Sequence, residues 1–258
     1  MNTFTTDAIN IKTYPLSEND NIVVMFSKDK GLIKGVAKGV KKPKSKLGAR
    51  MQMLVANKLM LNEGKSLDVI KEAQAINPFN KLRYNLDKLN YSIYLSEIIG
   101  NFCKENTEEI PEVNKNIYDL FYKTLVNISN AENRVQIMLS VIKFQLKFMR
   151  EIGLGLELSH CLKCSVKIKE DAYFSFENGG VTCKDCLDSF SGKIRINIKI
   201  IDFLCEILDS DIDKQTRYDA LVNEQVAQVC FSLLRKYIDT QTGRECKTVK
   251  ILEMTKVG

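Results

Sequence analysis

Two cysteine pairs carry the sharpest chemical signal in the sequence. Cys161-Leu162-Lys163-Cys164 is followed, after 18 intervening residues, by Cys183-Lys184-Asp185-Cys186. Two residues between cysteines let both thiolates bind one ion as neighbours. Two such pairs complete a tetrahedral site with metal–sulfur distances of about 2.3 Å. The spacing falls within the range of four-cysteine zinc sites. Four thiolates close the shell and leave no position for water, so the favoured occupant is one structural Zn2+. A redox dithiol needs only one of the two pairs, which makes the second redundant. An iron–sulfur cluster is the remaining reading. A nucleobase-deaminase zinc is disfavoured, because His160-Cys161-Leu162 lacks the required Glu and Cys183 follows Thr182. His160, the one histidine of the chain, is an alternative ligand. The favoured reading makes it a surface residue beside the first cysteine pair. Cys103, Cys205, Cys230 and Cys246 lack partner spacing; Cys205 and Cys230 lie in apolar helical runs and read as small core residues.

The second signal is a confined positive charge. The net charge of the 258-residue chain is +6. Residues 1–80 hold 13 Lys and Arg against 7 Asp and Glu, while the remainder is balanced at 25 of each. Lys28, Lys30, Lys34, Lys38, Lys41, Lys42, Lys44, Lys46 and Arg50 face a single acid, Asp29. Such a run repels itself unless an anionic partner or solvent screens it. A phosphate backbone is the favoured partner, since lysines that neutralise phosphates release condensed counterions. Lys34, Lys38, Lys41, Lys42, Lys44, Lys46 and Arg50 are the candidate nucleic-acid contacts. Phe4, Tyr14 and Phe26 could stack on bases or fill a core. The competing readings are an anionic membrane, an acidic protein, or a mobile solvated loop.

The elements that must position these groups change period along the chain. Residues 8–74 hold five short apolar runs, 8–16, 21–27, 32–40, 53–61 and 67–74, separated by turn residues. Five strands in so short a span predict a closed barrel of the OB-fold type, a frequent binder of oligonucleotides. In the third run Lys34 and Lys38 share the parity of Leu32, Val36 and Val40; either a bulge at Gly35 and Gly39 turns the lysines outward, or the register differs. Asn77-Pro78-Phe79 ends the strands. Leu82, Leu86, Leu89 and Ile93 then predict an amphipathic helix, and Val113, Ile117, Leu120, Thr124 and Ile128 a second. The apolar 131–152 segment predicts a helix buried on most sides, stopped at Gly153-Leu154-Gly155. Helices resume at about 197–208 and 219–238. The expected class is α+β: a barrel over 1–78, an α-helical domain over 79–158 and 191–258, and a zinc-binding module inserted at 159–190.

Several function classes find no support. The sequence holds no G-x-x-x-x-G-K-[ST], no G-x-S-x-G and no carboxylate pair beyond those expected on helix faces. No catalytic residue is assigned and no enzyme is expected, although a nuclease remains a rival reading. There is no membrane-length apolar run and no signal-peptide pattern, so the expected location is cytoplasmic.

Several stretches together resemble a known family: Gly39-Val40-Lys41-Lys42-Pro43-Lys44-Ser45-Lys46-Leu47-Gly48, Asn77-Pro78-Phe79, Gly153-Leu154-Gly155, the two cysteine pairs with Phe174-Ser175-Phe176 and Gly179-Gly180-Val181 between them, and Arg235-Lys236-Tyr237-Ile238. The pattern is similar to the RecO family of bacterial DNA repair proteins over nearly the whole chain. The resemblance implies an N-terminal OB-fold, an α-helical domain and a zinc-binding module. It implies binding of single- and double-stranded DNA, annealing of complementary strands, and loading of recombinase onto single-stranded DNA in recombinational repair. The implied partners are RecR and the acidic C-terminal tail of the single-stranded-DNA-binding protein, at the bacterial nucleoid. It places Cys161, Cys164, Cys183 and Cys186 at the family's zinc positions and Lys41, Lys42, Lys44 and Lys46 on its basic loop. A protein-interaction adaptor without catalysis and an RNA-binding protein are the alternatives.

Overall fold

Five strands close on themselves in the order β1-β2-β3-β5-β4. They are β1 (Thr3–Pro15), β2 (Asn21–Ser27), β3 (Gly31–Ala37), β4 (Ala56–Asn62) and β5 (Asp68–Asn77). β1 pairs antiparallel with β2 and β4, β2 with β3, and β4 with β5; β3 meets β5 in parallel. This is the five-stranded OB-type barrel expected from the alternating runs. The computed structural model describes residues 2–105, 107, 110–190, 192–212, 222–248 and 252.

Ala8, Val23, Met25, Ile33, Leu59, Leu61 and Ile70 fill the barrel. The inward face of β3 is Ile33, Gly35 and Ala37, which leaves Lys34 outside. The β2–β3 pairing runs without a shift from Asn21–Ala37 to Ser27–Gly31, so no bulge turns the lysines outward; the register is the other parity. Gly35 permits this, because a Cβ there would lie 2.8 Å from Ile70 Cγ1. The register shifts instead within β1 between Asn10 and Lys12, and twice along the β4–β5 pair. Such irregularities bend strands and help a short barrel close.

The chain divides into two compact units, residues 1–130 with 248–258, and residues 131–247. The expected boundary at Pro78 does not coincide with this division. A 3-10 turn (Asn80–Tyr84), α1 (Leu86–Phe102) and α2 (Pro111–Asn130) group with the barrel. α2 buries Ile117, Leu120, Thr124 and Ile128 as its periodicity predicts. α1 does not present the expected stripe. Its core face is Tyr91, Tyr94, Leu95, Ile98 and Ile99, while Leu86 is exposed. Asn85 is the cause: its side chain accepts the Lys88 N–H and caps the helix, so Leu86 is its first residue and Leu82 falls in the preceding 3-10 turn.

The second unit is built on α3 (Arg134–Glu151), whose long buried run includes even Lys143 and Lys147. Lys147 Nζ donates to the carbonyls of Leu208 and Ser210, and Arg150 donates to Leu208 O at 3.1 Å. These cations cap the C-terminal end of α4 (Ile198–Asp209), where the helix dipole favours positive charge. Gly153, at φ +79°, stops α3. α5 (Glu224–Thr242) packs against α3. The expected start of that helix, 219–221, lies outside the described residues. β6 (Ala172–Ser175), β7 (Gly180–Thr182) and β8 (Lys193–Ile196) form a separate sheet in the order β7-β6-β8. β8 carries the folded cysteine module past the expected end at Phe190. Among the described residues, no helix is long and apolar enough to cross a membrane.

Candidate metal centre and basic loop

The first cysteine pair is shaped by backbone hydrogen bonds. Cys161 N–H donates to Val166 O, Ser165 N–H donates to Cys161 O, and Ser165 takes φ +57° to close the turn. Leu162 N–H donates to Val181 O at 2.9 Å, which ties this turn to β7. β7 then leads into Cys183, and Cys186 N–H donates back to Cys183 O. The four sulfurs consequently lie within 4.8 Å of one another, with Cys164 Sγ 3.8 Å from Cys183 Sγ. A tetrahedron with bonds of about 2.3 Å has sulfur–sulfur edges near that value. His160 stands outside the cluster, half-exposed, with Nδ1 3.8 Å from Glu157 Oε1.

The electrostatics of the cluster also call for a cation. Burial alone pushes the Cys161 thiol up, but the N–H groups of Cys164, Cys183 and Lys163 outweigh it and bring it down to about 6. Burial and the neighbouring thiols push Cys186 up to about 12, and Cys183 is raised by burial first. The Cys161 thiolate is therefore easy to form, and those of Cys183 and Cys186 are not. A divalent cation at the centre removes that penalty. The donor set suits a soft or borderline metal.

Tyr237 holds the module on α5. Its hydroxyl donates to Leu154 O at 2.9 Å and its ring meets Phe174 edge-on. Gly179, at φ +64°, has no room for a side chain, since a Cβ would lie 2.6 Å from that hydroxyl. Gly180 is equally confined, by Glu157 O and Leu162. The Gly-Gly turn and the tyrosine of the C-terminal motif are thus two sides of one contact. Cys230 is buried in the helical core as expected, whereas Cys205 is half-buried with Sγ 3.8 Å from Ser159 Oγ.

The basic segment between β3 and β4 is organised around apolar side chains. Val40 and Met51 join the barrel core and Leu47 packs against it. Lys38, Lys41, Lys42, Lys44 and Lys46 are exposed around them. Gly39 takes φ +63° and its N–H donates to Asp20 Oδ1 at 2.7 Å; Lys41 N–H donates to Asn19 O at 3.1 Å. These bonds fasten the start of the loop to the β1–β2 turn. At the other end, Asn10 Nδ2 donates to the carbonyls of Arg50 and Gln52, both at 2.8 Å. Asn57 Nδ2 adds a second donor to Arg50 O at 2.9 Å. Both asparagines are fully buried. Sequence reasoning missed these anchors, although Val40, Leu47 and Met51 are visible as apolar interruptions of the basic run.

The structure sorts the sequence's cations into two groups. Lys28, Lys30 and Lys34 have carboxylate partners in Asp119, Glu63 and Glu105. Among the described residues, Lys38, Lys41, Lys42, Lys44, Lys46 and Arg50 form no ion pair; Lys41 Nζ donates to Ser17 O and Arg50 to Lys46 O. Of the three aromatics, Phe26 is core, Phe4 is half-buried beneath Lys30, and Tyr14 is exposed beneath Lys12.

Comparison with known proteins agrees with this architecture. Residues 1–79 match the family described as Recombination protein O N terminal, and residues 83–250 match Recombination protein O C terminal. The chain belongs to the RecO family. A protein of Desulforamulus reducens named DNA repair protein RecO is 27% identical over 256 residues, covering 98% of this chain and 95% of the relative. One of the same name from Acetivibrio thermocellus is 27% identical over 238 residues, covering 92% and 91%. Another, from Dehalococcoides mccartyi, is 30% identical over 210 residues, covering 81% and 79%. The boundary between the two family matches, near residue 80, follows the end of the barrel, while the compact units divide 50 residues later.

Proposed function

We propose that this RecO-family chain is a non-catalytic DNA repair protein that holds single- and double-stranded DNA by its phosphates and anneals complementary strands. The observation that carries the reading is the set of six cations around the barrel loop, none of which forms an ion pair among the described residues. A loop fastened at both ends keeps these charges together at no further ordering cost when a polyanion arrives. Two strands neutralised on one surface repel each other less, so complementary segments can meet and pair without nucleotide hydrolysis. Lys38, Lys41, Lys42, Lys44, Lys46 and Arg50 are the proposed phosphate contacts. Lys34 contributes less, because Glu105 already neutralises it.

The cysteine cluster fits Zn2+ in donor set and size, and we assign it one structural ion held by Cys161, Cys164, Cys183 and Cys186. Its work is to cross-link the Cys161–Cys164 turn to the segment after β7. The family resemblance further implies RecR and the tail of the single-stranded-DNA-binding protein as partners, with delivery of recombinase to single-stranded DNA as the joint outcome.

The deciding experiment follows annealing of two complementary oligonucleotides at fixed low salt. It compares the wild type with a folded Lys41/Lys42/Lys44/Lys46→Ala variant. Acceleration by the wild type and its loss in the variant is the expected result. Equal acceleration by both moves the site off the loop. Acceleration by neither leaves an adaptor role.

A further inference from the structure

We propose that Tyr84 is a nucleobase-stacking residue at the edge of the barrel unit, taking unpaired bases of single-stranded nucleic acid. The proposal rests on the DNA-binding reading above and adds a site to it. Tyr84 ends the 3-10 turn Asn80–Tyr84, and its side chain is 86% exposed, with Leu86 beside it at 69%. These are the two most exposed large apolar side chains among the described residues. The turn holds them open for a structural reason. Phe79 is buried at φ +45°, Asn77 Oδ1 accepts its N–H at 2.9 Å, and Leu82 is buried three residues later. With the chain pinned at Phe79 and Leu82, Tyr84 faces away from the core.

The charges in the segment around Tyr84 choose the occupant. Lys81 and Tyr84 are three apart in a 3-10 turn, where such side chains eclipse each other. Lys81 Nζ donates to Asn130 Oδ1, and Lys88 Nζ donates to Ser129 O. Arg83 donates to Pro78 O and to Met53 O at 2.8 and 2.7 Å. All three cations are therefore held by uncharged oxygens, and none forms an ion pair among the described residues. Asp87 is the single acid between residues 78 and 96. An exposed aromatic side chain in a segment whose cations have no ion-pair partner among the described residues suits a polymer that carries both bases and phosphates. An apolar protein surface would leave those cations uncompensated. Arg83 also connects the two sites, because Met53 lies in the segment that leaves the basic loop. A strand bound along Lys38–Arg50 has this turn as its continuation.

The chain has no tryptophan, so Tyr84→Trp gives a single reporter at the site. The full-length variant is titrated with a thymine oligonucleotide and with a blunt duplex of equal length. The expected result is quenching of the tryptophan at saturation by the single strand and little change with the duplex. In parallel, Tyr84→Ala should weaken single-strand binding about 5-fold to about 150-fold, as loss of one base stack implies. Tyr84→Phe should restore it. Duplex affinity and the salt dependence of binding should not move, because no phosphate contact is removed. A saturating single strand that leaves the emission unchanged overturns the proposal while leaving DNA binding intact. Equal losses for single strand and duplex also overturn it. An emission change that follows protein concentration without DNA assigns the patch to a second copy of the chain, and overturns it too. Failure of the wild type to bind either nucleic acid overturns the DNA-binding reading itself.

Discussion

The barrel loop spreads its cations around an apolar hub, whereas the cysteine module gathers four thiols around a point. The loop concentrates like charge as it stands and the module would once its thiols ionise, so on the reading proposed above each takes a counter-charge from outside the chain. The loop's cations stand outward on a surface whose fold is already complete, with Val40, Leu47 and Met51 in the core. On that reading its partner should come and go without cost to the barrel. The module's thiols converge inward, and its β6–β7 pairing is only three residues long. On that reading its partner should have to stay for the module to stay folded. Removing the counter-charge should therefore cost binding in one region and structure in the other.

The largest expected effect tests the inward case. Cys161→Ser or Cys183→Ser should lower bound zinc from one per chain to none and lower the melting temperature. Loss of most of a structural site worth about 10 kcal/mol or more in small zinc domains would leave the module unfolded. Metal analysis and thermal denaturation of the same samples check this. One retained zinc with an unchanged melt would mean that the four cysteines are not its ligands.

The outward case predicts the reverse pattern. Lys41/Lys42/Lys44/Lys46→Ala should keep the melting temperature and flatten the salt dependence of DNA binding. Each phosphate that the protein no longer neutralises takes about 0.7 to 0.9 off the slope of log K against log salt, so four such phosphates take off about 3. Lys34→Ala should remove less than any single loop lysine, because Glu105 already compensates that charge. Binding isotherms at several salt concentrations measure both. A slope unchanged in the fourfold variant would place the phosphates elsewhere.

The two regions also differ in how much of them the sequence displays. Cysteines with two residues between them are brought together by one turn, so Cys161 with Cys164 and Cys183 with Cys186 are readable from local spacing alone. The strand at Tyr173–Phe176 and the Gly179-Gly180 turn that join the pairs are equally local. The loop is different. Its lysines are obvious in composition, but which of them are open depends on acids far along the chain: Asp119 for Lys28, Glu63 for Lys30 and Glu105 for Lys34. Its anchors, Asn10 and Asn57, come from two strands and look like ordinary strand polar residues until they meet at Arg50 O. The same limit explains the misplaced stripe on α1. Leu82 and Leu86 have helical spacing, but the Asn85 cap separates them into different elements.

Those anchors give the third test. Asn10→Ala would remove the donor to two part-buried carbonyls, that of Gln52 and that of Arg50, which keeps its bond from Asn57 Nδ2. Each of these hydrogen bonds contributes about 0.5–1.5 kcal/mol net. Urea denaturation should show a loss of that size with zinc content unchanged. DNA affinity should fall further than the loss of stability explains if Asn10 shapes the loop as well as supporting the barrel. A variant as stable as the wild type would remove the loop exit from the account of the fold.

The smallest effect lies at the entry of the loop and is read through pH. The Gly39 N–H, with Ser17, Lys38 and Lys42 adding to it, holds the Asp20 carboxyl below its ordinary value of 3.8. The folded chain thus gives up this proton more readily than the unfolded chain does. Between the lowered value and 3.8 the unfolded state binds more protons, so stability there rises with pH. The contribution is complete above the ordinary value and disappears as pH falls through the lowered one. Asp20→Asn keeps an oxygen for the Gly39 N–H but removes the titration. Its melting temperature should accordingly change less than that of the wild type as pH is lowered below about 4. Parallel acid melts of the two proteins would sink the idea that Asp20 fastens the loop by charge. A steeper acid loss in the wild type, with a neutral-pH difference smaller than that of Asn10→Ala, would mean that the exit anchors carry more of the loop's structure than the entry does.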